Sequence, residues 1–343
     1  MTESLAAHTT FGLGGPARTW IQPTTETELI EAVSAADDAG EPLLVLGGGS
    51  NVLIADDGFD GTVIHTGGLR GVHTDDVAAC SGAFITAAAG EPWDDFVAAT
   101  VAQRQVGIEA LSGIPGYVGA APVQNIGAYG QEVADTIARV RTWDREQREV
   151  RTYAVAECGF GYRVSRFKRQ PDRWVVLSVS FQFALGAWSV PVRYGELADR
   201  LGVAVGERAP LGEVREAVLA LRRSKGMVYD PAEVDSHSAG SFFTNPILAA
   251  PDLVPDGAPV FPQSDGSAKT SAAWLIEHAG FGKGFQRGSA RVSTKHCLAL
   301  TNPGQATTAE VVALAREIRD GVRQAFGITL EPEARLVGVS LDS

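Results

Sequence analysis

The run Ile114-Pro115-Gly116-Tyr117-Val118-Gly119-Ala120-Ala121-Pro122-Val123-Gln124-Asn125-Ile126-Gly127-Ala128-Tyr129-Gly130 interleaves glycines with apolar residues and contains no Asp, Glu, Lys or Arg. Such a stretch suits the presentation of main-chain N–H groups to an anion, because only glycine lets the backbone approach a phosphate closely and adopt positive φ. A second glycine string, Gly47-Gly48-Gly49-Ser50-Asn51, joins the apolar runs Leu44-Val45-Leu46 and Val52-Leu53-Ile54. One such string alone reads equally well as a tight turn. Two of them with similar polar codas, Ser50-Asn51 and Gln124-Asn125, point to a long ligand, and a diphosphate dinucleotide such as FAD fits. The dinucleotide fingerprint of doubly wound folds is excluded, because Val52 stands where its third glycine belongs and no helix opens directly after the turn. The phosphate-loop pattern also fails: Gly282-Lys283 has Glu277 at the leading position and Gly284 after the lysine.

Four residues could act on a substrate. Arg163 closes Phe160-Gly161-Tyr162-Arg163 and could grip a carboxylate with its guanidinium fork, or simply face solvent. Lys225 follows Arg222-Arg223 and could bind an anion, or balance a helix C-terminus. Ser241, between Gly240 and Phe242-Phe243, could give a proton, or bond nearby backbone as a turn hydroxyl. Glu333, in Leu330-Glu331-Pro332-Glu333-Ala334-Arg335, could work beside them, or pair with Arg335.

These residues need elements to hold them. Thr25-Glu26-Thr27-Glu28 is a capping box before the stripe Leu29, Ile30, Val33, Ala36, so a helix runs to Gly40 between a strand at Arg18 to Gln22 and another beginning near Leu43. Pro92 opens a helix with Trp93, Phe96, Val97, Thr100 and Val101 on one stripe. Thr136 to Tyr153 alternates about Asp144-Arg145-Glu146 as a hairpin does, and Trp174 to Phe183 reads as a strand. Ser224 to Ser241 is polar and turn-rich, as a domain entrance is. Beyond it, Ala272 to Ala279 is a short helix and Thr307-Thr308-Ala309-Glu310 caps a longer one that buries Val311, Leu314, Ala315, Ile318 and Val322. Ile328 to Val339 returns to strand character.

The 343 residues, 45% hydrophobic, suffice for two or three domains. A net charge of −12 without a basic window argues against a nucleic-acid partner. No apolar run approaches a membrane span, and Met1-Thr2-Glu3-Ser4 lacks the features of a signal peptide, so a cytoplasmic protein without a membrane partner is expected. Cys80, Cys158 and Cys297 are spaced for neither zinc nor redox exchange and read as buried free thiols; no metal site is expected.

In order from about Thr10 to Val339, the chain resembles the UDP-N-acetylenolpyruvoylglucosamine reductases, also called UDP-N-acetylmuramate dehydrogenases. The resemblance rests on Thr10-Phe11-Gly12, the two glycine strings, Phe160-Gly161-Tyr162-Arg163, Ala239-Gly240-Ser241-Phe242-Phe243 with Asn245-Pro246, and Leu330-Glu331-Pro332-Glu333. It implies an α+β protein with an FAD-binding fold of the vanillyl-alcohol oxidase-like type, made of two α+β subdomains, and a C-terminal α+β substrate-binding domain. The boundaries would be 1–67 completed by 330–343, then 68–226, then 227–329.

The implied activity is the NADPH-dependent reduction of the enolpyruvyl group of UDP-N-acetylenolpyruvoylglucosamine to UDP-N-acetylmuramate, in peptidoglycan precursor synthesis, by a monomer holding FAD non-covalently. Ser241, Arg163 and Glu333 take the catalytic positions. Gly47, Gly48, Gly49, Ser50, Asn51, Pro115, Gly116, Gly119, Gln124, Asn125, Gly127, Ala128, Tyr129 and Gly130 fall on cofactor-binding ones. Tyr162, Tyr194, Lys225 and Asn245 fall on positions that hold substrate or nicotinamide nucleotide. Tyr194, in Val192-Arg193-Tyr194-Gly195-Glu196-Leu197, matches the branch that folds a tyrosine-bearing loop over the substrate. One departure is local: the family's lysine is commonly followed by a residue and then proline, whereas Lys225 precedes Gly226-Met227. Two competing readings are an alcohol or sugar oxidase with tethered flavin, for which neither glycine string offers a His or Cys, and a non-catalytic UDP-sugar sensor.

Overall fold

The computed structural model describes residues 3–78 and 80–342. The chain divides into two compact units: Ala17–Gly48 with Asp60–Ser224, and Glu3–Pro16 with Gly49–Phe59 and everything from Lys225 on. Helices and mixed sheets occur in both, an α+β make-up.

In the first unit the capping box forms as read. Thr25 Oγ1 accepts from the Glu28 N–H at 3.1 Å and the Glu28 carboxylate accepts from the Thr25 N–H at 3.3 Å, starting the helix Glu26–Asp38. The strands Leu43–Leu46 and Phe59–His65 pair in parallel, with Leu44 opposite Val63. Leu29 and Val33 of the helix pack with Leu43 and Ile64.

A larger antiparallel sheet orders its strands as Glu149–Ala154, Ile137–Asp144, Trp174–Leu185, Gly82–Ala88 and Val72–Ala78. Its central strand serves two cores. Val175 and Leu177 join the cluster around Leu29, whereas Val179, Phe181 and Phe183 join Trp93, Phe96 and Val97. Side chains alternate faces strictly, so this needs a change of phase, and the register supplies it: Arg141 faces Ser178 while Thr142 faces Val176, leaving Leu177 as a bulge. The helix Trp93–Ala102 covers the second core, with the Phe96 and Phe181 rings 5.0 Å apart. The hairpin turn falls at 145–148, where the buried Asp144 carboxylate accepts from the Glu146 and Gln147 N–H groups and from the Arg173 fork. Cys80 corrects the expectation of three buried thiols. It is exposed at the tip between two strands, while Cys158 and Cys297 are buried and burial pushes both thiols up to about 12.

The second unit is built on the helix Thr308–Phe326, whose Val311, Leu314, Ala315, Ile318 and Val322 are fully buried in one cluster with Leu53, Phe242, Phe243, Leu275 and Val292. Its first N–H groups are all met: those of Thr308 and Ala309 by the Asp56 carboxylate at 2.8 and 2.9 Å, that of Glu310 by Thr307 Oγ1 at 3.2 Å. The strand character read over Ile328 to Val339 is confined to Arg335–Val337, which pairs in parallel with Val52–Ile54. The residues before it carry Pro332, which has no N–H for a ladder, and make only a bridge between Pro332 and Phe243. No helix among the described residues is long and apolar enough to cross a membrane.

Loss of the Thr307 cap should cost about 1 kcal/mol. Thr307→Ala is expected to lower the urea midpoint followed by circular dichroism, and Thr307→Ser to leave it nearly in place. An alanine variant as stable as the parent would show that Asp56 alone secures this helix start.

Candidate active site

Within the first unit the two glycine strings meet backbone to backbone. A Cβ on Gly48 would lie 2.7 Å from Gly116 Cα, and one on Gly119 would lie 2.6 Å from Ala89 Cβ, so neither position admits a side chain. Gly116 has φ +114°, a conformation that glycine alone adopts without strain. Pro115 precedes it on the half-buried stretch 114–117. Main chain that close-packed and free of side chains fits a group carrying phosphates, as FAD does.

The later part of the long string is fastened by side chains. Asn125, fully buried at φ +48°, donates to Glu132 at 2.7 Å and to the Gly161 carbonyl at 3.1 Å, and accepts from the Ala134 N–H at 3.1 Å. Its amide therefore shapes the loop. Arg163 sits at φ +53° in the tight turn 161–164 and donates to the carbonyls of Gly127 at 2.8 Å and Asn125 at 3.4 Å. Ser165 donates to the Val123 carbonyl from the next position. These bonds overrule the solvent-facing reading of Arg163, which is half-buried over the Tyr162 ring at 5.4 Å. Gln124, Gly127 and Ala128 share the half-buried loop surface, and Gly130 is exposed beside Arg193.

Tyr129, at φ +50°, meets Tyr194 edge to face at 5.4 Å and 90°. Burial pushes the Tyr129 phenol up to about 12, so it is a neutral donor and acceptor at physiological pH. Tyr194 is 46% exposed and its carbonyl accepts the first N–H bonds of the helix Gly195–Leu201. Arg222 lies in the same electrostatic neighbourhood, and burial pushes its guanidinium down to about 10. The sequence reading gave Arg222 no role beyond marking a helix end. Its signal was the spacing Val214, Val218, Arg222, which carries a charge along the buried stripe of the helix Leu211–Ser224.

In the second unit a main-chain network gathers the remaining candidates. Gly49, at φ +61°, is pressed against the His8 carbonyl, which a Cβ would approach to 1.9 Å. Its own carbonyl accepts from the Thr10 N–H, and Thr10 Oγ1 donates to the Ser238 carbonyl at 2.6 Å. Ser50 follows Gly49, and Asn51 donates to the Glu333 carbonyl at 3.2 Å while accepting from the Arg335 N–H. The Glu333 N–H in turn donates to the Phe242 carbonyl at 2.8 Å. Asn51, Glu333 and Phe242, the residue after Ser241, are thus joined by one short chain of hydrogen bonds. Phe242 and Phe243 are 0% and 1% exposed in the core, and anchor a half-buried Ser241. Asn245 accepts the Ala272 N–H at 2.9 Å ahead of the helix Ala272–His278. Lys225 lies in a turn one residue past the helix Leu211–Ser224, and Gly226, at φ +66°, packs against the Asp235 backbone.

A sequence model described as an FAD binding domain matches residues 17–153, and one described as the UDP-N-acetylenolpyruvoylglucosamine reductase C-terminal domain matches residues 230–337. The UDP-N-acetylenolpyruvoylglucosamine reductase of Cutibacterium acnes is 57% identical, covering 98% of this chain and 90% of its own. That of Thermobifida fusca is 51% identical, covering 98% and 97%. The crystal structure of the reductase from Thermus caldophilus matches with a TM-score of 0.66 at 26% identity over 98% of both chains. Identity of this order along nearly the whole length means that the chain belongs to the UDP-N-acetylenolpyruvoylglucosamine reductase family, with the α+β FAD-binding fold of the vanillyl-alcohol oxidase-like type.

Proposed function

We propose that this protein reduces the enolpyruvyl group of UDP-N-acetylenolpyruvoylglucosamine to give UDP-N-acetylmuramate, with NADPH as reductant and FAD held non-covalently along the glycine strings. The observation that carries the reading is the bond from the Glu333 N–H to the Phe242 carbonyl, which ties the main chain of the acidic residue to the residue following the proposed proton donor. Bound FAD supplies the hydride chemistry and the protein supplies orientation.

Hydride addition at the terminal carbon of the enol ether leaves carbanion character on the carbon bearing the carboxylate. The barrier falls if that carboxylate is gripped by preorganised groups, because they then stabilise an enolate-like form. Arg163 has this role, with Glu333 as its partner in polarising the carboxylate. The carbonyls of Gly127 and Asn125 hold the guanidinium in place before any ligand arrives. Ser241 gives its proton as the carbanion forms; a hydroxyl is too weak an acid to do so earlier, and exclusion of bulk water favours the transfer. Tyr162, Tyr194, Lys225 and Asn245 hold the nucleotide portions of substrate and NADPH.

The division into two FAD-binding subdomains, 1–67 with 330–343 and 68–226, and a substrate-binding domain, 227–329, belongs to the same reading. Pairing of Arg335–Val337 with Val52–Ile54 supports grouping the two chain ends. A cytoplasmic monomer without nucleic-acid or membrane partners completes it, in keeping with a nucleotide-sugar substrate and NADPH.

Acid precipitation should leave the yellow colour in the supernatant, and colour retained by the pellet would mean a covalent tether. Rapid-mixing absorbance separates the half-reactions at Ser241. Ser241→Ala should bind FAD and bleach normally with NADPH, but reoxidise with the enolpyruvyl sugar about a hundred- to ten-thousandfold more slowly. Ser241→Cys should recover part of that rate. Reoxidation of the alanine variant at the parent rate would remove Ser241 as proton donor.

A further inference from the structure

The long glycine string begins on a clasp. Residues 89–94 run antiparallel to residues 113–119: the Gly119 N–H donates to the Ala89 carbonyl, the Val118 N–H to the Glu91 carbonyl and the Trp93 N–H to the Gly116 carbonyl, each at 2.9 Å. Pro92 bridges Tyr117 between them. The backbone pairing then stops, because the helix Trp93–Ala102 begins and its main chain turns away. The last rung is a side chain. The Asp94 carboxylate accepts from the Gly113 N–H at 2.6 Å, where Gly113 is buried at φ +73°.

That carboxylate is itself oriented. Arg215, on the helix Leu211–Ser224, donates from Nη1 to Oδ1 at 2.7 Å and from Nη2 to Oδ2 at 2.9 Å, a two-point fork with the arginine side chain only 15% exposed. Burial would raise the Asp94 carboxyl, but the Arg215 fork and the Gly113 N–H outweigh it and hold the group below the usual carboxylate range. It is therefore ionised throughout the neutral range and is a strong acceptor for Gly113.

We propose that Asp94 is a positioning residue for the cofactor: oriented by Arg215, it fixes Gly113 and so sets the path of Ile114-Pro115-Gly116, along which FAD binds. The inference rests on the placement of FAD along the glycine strings. Without the last rung, Gly113, Ile114 and Pro115 would be held only from the Gly116 end, where the Trp93 N–H bonds the Gly116 carbonyl, and that stretch would have to be ordered by the ligand at a cost in affinity.

The test compares Asp94→Ala, Asp94→Asn and Arg215→Gln as apoproteins, measuring FAD dissociation constants by flavin fluorescence and thermal midpoints without FAD. Both Asp94 variants lose the ion pair and should lose similar thermal stability. Asparagine still offers Gly113 an acceptor, so Asp94→Asn should bind FAD within about fivefold of the parent, whereas Asp94→Ala should bind about ten- to a hundredfold more weakly. Arg215→Gln should fall between them and Arg215→Lys should restore most of the affinity. That pair decides the matter alone if Asp94→Ala fails to fold. Parent-like affinity in Asp94→Ala and Arg215→Gln, or equal weakening in both Asp94 variants, would reduce Asp94 to a structural ion pair. Gly116→Val is the control for the underlying placement: undiminished FAD binding there would displace FAD from this loop whatever Asp94 does.

Discussion

The arrangement of the first unit depends on the approach of Gly48 to Gly116, so close that a single added methyl group would sit 2.7 Å from the opposing Cα. Contact of this kind yields little by itself. Two bare backbones bury almost no apolar area, and glycine gives up more conformational freedom on ordering than any other residue. The contact must be imposed from outside. The antiparallel clasp of residues 89–94 on 113–119 imposes it on one side, and the parallel strands Leu43–Leu46 and Phe59–His65 on the other. A surface of bare main chain is rigid only to the extent that its neighbours are, and here they are a sheet and the start of a buried helix.

The second unit meets a different need with the same economy. Ser241 is half-buried, and its neighbours restrict it. The adjoining Phe242 and Phe243 are sunk in the core beside Leu275 and Ile318, and their main chain exchanges bonds with residues 331–333. Hydrophobic burial on one side of the residue and a backbone network on the other leave the serine few conformations. Those aromatic side chains therefore act on the serine through its position.

What was legible in the sequence follows interaction range. The capping boxes at Thr25 and Thr307, the stripe Val311 to Val322 and the hairpin around Asp144 are decided by residues within a few positions of each other, and they formed as read. The glycine strings were legible because backbone conformation restricts residue type directly. Asp94 and Arg215 were not, since they lie 121 residues apart and each alone is an ordinary helix-surface residue. Strand character over Ile328 to Leu330 failed for a related reason. Ile328 and Leu330 satisfy core packing in the cluster of the long helix without a partner strand, and Pro332 removes a ladder donor.

Among the described residues five other than glycine adopt left-handed φ; Arg104 and Arg148 do so in turns, and the other three lie on the candidate site loops. Asn125, Tyr129 and Arg163 all adopt left-handed φ, a conformation costing of order 1–3 kcal/mol for residues other than glycine. Such angles persist only where surrounding bonds over-determine them. Asn125 has three side-chain hydrogen bonds to hold it, Arg163 grips two carbonyls, and Tyr129 is wedged against Tyr194. Glycine would relieve the strain at each position and remove the amide and guanidinium whose hydrogen bonds tie the loop, or the phenol packed on Tyr194. The loop thus takes glycine where the main chain is close-packed and a strained side chain where one ties the loop to its neighbours, and the hydrogen bonds between residues 123–127 and 161–165 make that second choice sustainable.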